Sequence, residues 1–188
     1  LPLPYLVLNI GAGFIFSIAL LFLYSAIKRK DVAGVAPAVG AMTAIFTLVL
    51  SFIFLKSTFS TLNLLAFGLL VAGTLMVSNL RIDSHDARTR LFKELFSAFI
   101  ASVLFAMFYV AIKMSYNAFG FLDPFFWTRM GMLLGAIFIL VFLNKDKVIF
   151  SAFRQSGNSL KFGFVATKIL AGSAFLLIAV AAYLGDVA

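Results

Sequence analysis

Charge is placed along this chain in a way that leaves few folds open. Residues 5 to 27, 32 to 55, 57 to 80, 95 to 112 and 169 to 185 each run 17 residues or longer without Asp, Glu, Lys or Arg, and 130 to 144 adds a sixth run of 15. An α-helix crosses the hydrocarbon core of a bilayer with about 20 apolar residues. The first three runs meet that length outright, whereas the last two reach it only by taking in Arg129 and Lys168. Strands of a membrane barrel need about half that length and alternate in polarity; these runs do neither. The expected fold class is therefore an all-α polytopic membrane protein with six transmembrane helices.

Composition agrees. With 63% hydrophobic residues, 24 Phe and 12% charged residues, the chain has too few polar groups to solvate a globule of 188 residues. A net charge of +8 suggests nucleic acid only until the cations are located. They sit in short loops between apolar runs, where they meet lipid headgroups and govern insertion, so no nucleic-acid partner is expected. Cysteine is absent and His85 is the only histidine, which leaves no thiol nucleophile, no thiolate site and no histidine cluster. No catalytic residue, metal site or cofactor is expected. An enzyme would need a nucleophile with a base, paired carboxylates or metal ligands, and the spans hold none of these.

The spans are placed at 5 to 27, 35 to 55, 60 to 80, 95 to 115, 124 to 143 and 162 to 184. Between the third and fourth lies the longest charged stretch, 81 to 94, a seam between two halves. Pro37 and Pro124 fall at span starts, where a missing N–H costs little. The first, third and fifth connections hold eleven Lys and Arg, and the opposite side holds only Lys56 and Lys113. Short basic loops stay in the cytoplasm, which puts the eleven-cation side inside and both ends of this stretch outside. The chain opens Leu1-Pro2-Leu3-Pro4 without a basic leader and stops just past an apolar run, as an excerpt of a longer protein would.

Compared with itself at a shift of 155 residues, the chain aligns 14 to 33 with 169 to 188. Ala19/Ala174, Leu21/Leu176, Ala26/Ala181, Asp31/Asp186, Val32/Val187 and Ala33/Ala188 are identical, six of twenty. Chance matching in an alphabet rich in Ala and Leu is one explanation; equivalence of the first and sixth spans is the other. Five crossings would separate the two, so equivalent spans would run in opposite directions, the arrangement of inverted-repeat transporters that bind solute near the midplane.

Tyr24-Ser25-Ala26-Ile27, Val35-Ala36-Pro37, the run from Ala44 to Lys56, and Phe67-Gly68 through Gly73 resemble helices three to five of an EamA-type repeat in the drug/metabolite transporter superfamily. Phe108-Tyr109-Val110-Ala111-Ile112-Lys113 and Leu122-Asp123-Pro124-Phe125-Phe126-Trp127-Thr128-Arg129 resemble helices six and seven, and the sixth span resembles helix eight. The resemblance implies an inverted-repeat helical bundle of about ten helices. Residues 1–80 would be the last three helices of the first repeat, 81–94 a charged linker and 95–188 the first three helices of the second. Two helices would be missing at each end. Where the family often carries a Glu after the fourth helix, Leu55-Lys56-Ser57-Thr58 has no acid. The usual family topology would also place the first loop outside, opposite to the cation count.

Within the spans, Asn9, Gly13 and Ser17 recur every four residues; so do Thr43, Thr47 and Ser51; and Ser102, Ala106, Tyr109 and Lys113 follow a three-to-four spacing. Each set lies along one helix face. Such stripes serve either as packing seams or as the wall of a cavity for a polar solute. Gly131 and Gly135, like Gly68 and Ala72, form small-xxx-small pairs that favour helix contact. Arg129 and Lys168 lie inside spans, where a cation either snorkels to the interface or takes part in function. No Asp or Glu lies inside a span, so this portion offers no carboxylate relay for proton coupling. The candidate cavity residues are Asn9, Ser17, Thr43, Thr47, Ser102, Tyr109, Arg129 and Lys168.

The expected function is a carrier of a small polar or anionic metabolite in the cytoplasmic membrane, with a channel component or a structural membrane subunit as the alternatives. The expected partners are a small-molecule substrate and the lipid bilayer, with a homodimer also allowed. Orientation is open to a direct check: cysteines introduced at Ser57 and Asn117 should react with an impermeant thiol reagent added to intact cells, and one at Ser84 should not. The opposite labelling pattern would reverse the topology.

Overall fold

The structure, a computed structural model, describes residues 1–27, 32–55, 61–77, 87–142 and 158–184. Every regular element among them is an α-helix: α1 Leu3–Ile27, α2 Val32–Phe54, α3 Thr61–Val77, α4 Ala87–Phe119, α5 Leu122–Phe142 and α6 Asn158–Leu184. Helices are what apolar runs of this length must form in lipid, because every backbone N–H and C=O is then satisfied within its own segment. Leu3–Ile27, Val35–Phe54, Phe96–Phe119 and Leu122–Phe142 are long and apolar enough to cross a membrane. Four such helices mark a membrane protein.

Helix α4 starts earlier than its apolar run. Residues 87 to 94 hold Ala, Arg, Leu, Lys and Glu, all good helix formers, with neither Gly nor Pro. The helix therefore takes up most of the charged stretch and reaches 33 residues, roughly 50 Å at 1.5 Å per residue and longer than a hydrocarbon core. Because α2 begins at Val32, Pro37 lies in its second turn rather than its first. The end of α4 is set by Gly120, whose φ of 74° is left-handed. Its N–H donates to the Tyr116 carbonyl at 3.0 Å, the single bond of an αL cap, which only glycine adopts without strain. Asp123 follows in the first turn of α5, where a negative charge is favoured by the helix dipole.

Helix α1 is the centre of the packing and lies against both α4 and α5, while α2 packs on α4 and α3 on α2. Tyr5 meets Phe119 at 4.6 Å between ring centroids, and Phe16 meets Phe108 at 4.6 Å and Phe105 at 5.4 Å. As α1 advances, its partners on α4 retreat, so these two helices are antiparallel. Against α5 both indices rise together, from Ile10 beside Gly131 to Ser17 beside Gly135 and Phe14 beside Phe138, so α1 and α5 are parallel.

Small residues allow both contacts. Ala12, Ala19 and Ala26 recur at two-turn intervals on α1 and are at most 2% exposed. Ala98 and Ala101 of α4 join Ala19 and Ala26 in one core cluster. On the other side, a Cβ on Gly13 would strike the Thr128 carbonyl oxygen and come within 2.7 Å of the Met132 nitrogen. One on Gly131 would strike the Ile10 carbonyl, and one on Gly135 would stand 2.7 Å from Ser17 Cβ. In lipid, where tails are as apolar as leucine, backbone approach of this kind holds helices together.

Gly131→Ala should therefore lower stability by about 1–3 kcal/mol, as overpacking does. Gly11→Ala and Gly163→Ala should change it little, since nothing lies within 4 Å of a Cβ at either position. Thermal unfolding of the purified protein in detergent would show the contrast.

Candidate functional site

Small side chains on α2 open a space beside α1. Ala36, Gly40 and Ala44 follow one another at four-residue spacing, and with Thr43 and Thr47 they form one wall of a cavity of about 600 Å³. Phe16, Leu20 and Leu23 of α1 face them, Phe105 and Tyr109 of α4 complete the long sides, and Phe67 of α3 contributes at the margin. That volume falls within the range of small-molecule sites, and the lining is of the usual kind, mostly apolar with a few placed polar groups. The cavity exists because α1 and α2 touch only slightly, although both pack closely on α4.

The two threonines differ in a way that matters for ligands. Thr43 Oγ1 donates to the Val39 carbonyl one turn back at 2.7 Å, the common fate of a hydroxyl within a helix. Thr47 Oγ1 is buried with no hydrogen-bond partner among the described residues. A buried orphan hydroxyl costs about 1–3 kcal/mol, so its place on the wall of a cavity points to a solute or water as its complement.

Of the eight candidate residues, Thr43, Thr47 and Tyr109 are brought together on this cavity. Ser17 lies instead on the α1–α5 contact, where its Oγ donates to the Met132 carbonyl at 2.9 Å. Ser102 is fully buried between α4 and α2, with Oγ 3.2 Å from the Val39 carbonyl and 2.8 Å from that of Ala98. Asn9 is also fully buried; its Nδ2 donates to the Tyr5 carbonyl at 2.7 Å and its Oδ1 has no partner. Arg129 is half-buried on α5, with its guanidinium carbon 4.6 Å from the Phe125 ring centroid and 4.1 Å from that of Phe175. Lys168 lies on α6, but its side chain is outside the described residues.

Around Arg129 the structure adds residues that the polar stripes did not include. Tyr116 is 2% exposed, its hydroxyl is buried without a partner, and its ring meets Phe121 and Tyr183. It continues the α4 stripe three residues past Lys113, so extending that spacing would have found it. Lys113 itself, one of the two cations on the sparse side, lies well inside α4 and is buried. Thr128, buried beside Arg129, returns its hydroxyl to the Pro124 carbonyl. Among the described residues no group of three His, Cys, Asp or Glu could hold a metal ion. Compared with known protein families, with curated proteins and with solved structures, the chain matches none.

The partnered and unpartnered hydroxyls should respond in opposite directions. Ser17→Ala removes an interhelical bond and should lower stability by about 0.5–1.5 kcal/mol. Thr47→Val removes a hydroxyl that bonds nothing and should leave stability unchanged or raise it. Paired melting curves in detergent test both.

Proposed function

We propose that this chain is part of a membrane carrier that moves a small polar or anionic metabolite across the cytoplasmic membrane by alternating access between two inverted repeats. The observation that carries the reading is the cavity bounded by α1, α2 and α4, with the orphan hydroxyl of Thr47 in its wall. A protein whose only task is to hold others together has no need of such a space, and in lipid an unfilled void forfeits packing contacts.

Helix directions support the same reading. One crossing per helix would make α1 antiparallel to α4 and parallel to α5, and the ring and backbone contacts have that sense. Continued to α6, the alternation sets it opposite to α1, as an inverted pair requires. Asp31 and Asp186, matched two residues before the ends of those segments, lie outside the described residues. Resemblance to the EamA-type carriers rests on the residues quoted above and agrees with this arrangement.

Cavity filling tests the proposal. The intact protein would be reconstituted into proteoliposomes and screened for uptake over a panel of small polar and anionic metabolites. Thr47→Trp should then abolish uptake of whichever solute is moved, while the thermal midpoint stays within a few degrees of the parent, since a half-open cavity accepts the added volume. Uptake undiminished in Thr47→Trp would remove the cavity from the path.

A further inference from the structure

We propose that Arg129 anchors the carboxylate of the solute, and that the solute is a monocarboxylate with an apolar or aromatic body; this deepens the carrier reading and rests on it. A cation that serves only as an interfacial anchor extends its charge towards headgroups and water. The Arg129 guanidinium instead lies over the Phe125 and Phe175 rings. Cation–π contact draws on the charge of the guanidinium, which also carries five N–H donors for hydrogen bonds. Among the described residues the only bond these donors make is to Met132 Sδ at 3.5 Å, a weak acceptor. A planar fork with unspent donors in an apolar surround is matched in geometry by a carboxylate.

A second, independent observation points to a ligand at the same place. The Tyr116 ring meets Phe121, which stacks on Phe125 beneath Arg129, and the Tyr116 hydroxyl is buried without a partner among the described residues. Asn9 Oδ1 is equally orphaned and stands on α1 at the level of Tyr116, since Tyr5 meets Phe119 below it and Phe16 meets Phe108 above it. Orphan polar atoms in an apolar core are rare unless something outside the protein completes them. Two rings separate Arg129 from the cavity: Phe16 lines the cavity and meets Phe175 edge to face at 5.3 Å, and Phe175 in turn carries Arg129. A solute with its carboxylate on Arg129 would lay its body along Phe16 and Phe175.

Charge fixes the class further. One guanidinium balances one negative charge, and its planar fork matches the two oxygens of one carboxylate. A dianionic phosphate would keep a net charge in a site walled by phenylalanine, which low dielectric penalises.

The test is equilibrium binding to the purified intact protein in nanodiscs, followed by intrinsic fluorescence and by the shift in thermal midpoint, with benzoate, benzyl alcohol and phenyl phosphate as probes. Benzoate should bind saturably and raise the midpoint; its neutral analogue and its dianionic analogue should bind at least about tenfold more weakly, the usual worth of a charged hydrogen bond. Arg129→Gln should weaken benzoate at least about tenfold, and Arg129→Lys should recover part of the loss because the charge remains while the fork is gone. Should Arg129→Gln fail to fold, Tyr116→Phe carries the test. It should weaken benzoate several-fold yet raise the midpoint of the ligand-free protein, since an orphan hydroxyl is removed, and a merely structural tyrosine would show no change in binding. No response to benzoate in the parent protein, an equal response in Arg129→Gln, or a preference for phenyl phosphate would each overturn the proposal. Uptake of another solute that benzoate does not compete with would overturn it while leaving the carrier reading intact. Benzoate binding without uptake of any solute would uphold the site and remove the carrier.

Discussion

The close approach of α1 to α5 is the contact on which the rest of the arrangement depends. Gly13, Gly131 and Gly135 bring the two backbones to a separation that no Cβ could share. In water such a contact would add to a large hydrophobic term; between lipid tails that term is nearly absent, and surface fit with short interhelical hydrogen bonds decides which helices associate. Ser17, bonded across to Met132, provides such a bond at the same level. Once α1 is clamped on this side and held by Ala19 and Ala26 against α4, its third face is left for α2. There the residues change from alanine to Phe16, Leu20 and Leu23, too large for close approach, and a cavity opens in place of a seam.

The length of the uncharged runs made the helices legible, because such a run of about 20 residues has no other stable conformation in a bilayer. The start of α4 at Ala87 was less legible: its first two turns are charged, and helix propensity, not apolar character, carries them. Spacing puts the polar stripes on single helix faces, yet periodicity does not say which neighbour a face meets. Asn9, Gly13 and Ser17 lie on one stripe, and the last two meet α5; Thr43 and Thr47 lie on another and border a void. What separates them is the size of residues on a helix distant in sequence. Arg129 stood out as a cation in an apolar span, but its setting depends on Phe175 of α6, and a contact of that range leaves no trace in local spacing.

Among the described residues three buried side-chain atoms lack partners, Asn9 Oδ1, Thr47 Oγ1 and Tyr116 OH, and they are not scattered at random. Thr47 borders the cavity, Asn9 and Tyr116 stand level with one another on α1 and α4, and Phe16 and Phe175 link the cavity to Arg129. A helix can easily absorb a threonine hydroxyl by bonding it one turn back, as Thr43, Thr128 and Thr167 all do. Thr47 has the same backbone option and does not use it. An unmade bond is costly in low dielectric, and on the carrier proposal these are the positions where a polar solute would remove that cost.

The sign of the charge in the interior bears on energetics as well as recognition. None of the seven acids falls within the uncharged runs of the sequence, whereas Arg129 lies within α5. A carboxylate relay, the common means of coupling proton flow to transport, thus has no members in these spans. With a monoanion on Arg129 the site is neutral, and without one it carries a positive charge walled by Phe125 and Phe175. Moving an uncompensated charge between two faces of a bilayer is harder than moving a neutral pair, both for desolvation and against the membrane potential. A loaded carrier built this way would reorient more readily than an empty one, and the physical consequence is exchange of one anion for another in preference to net movement of either.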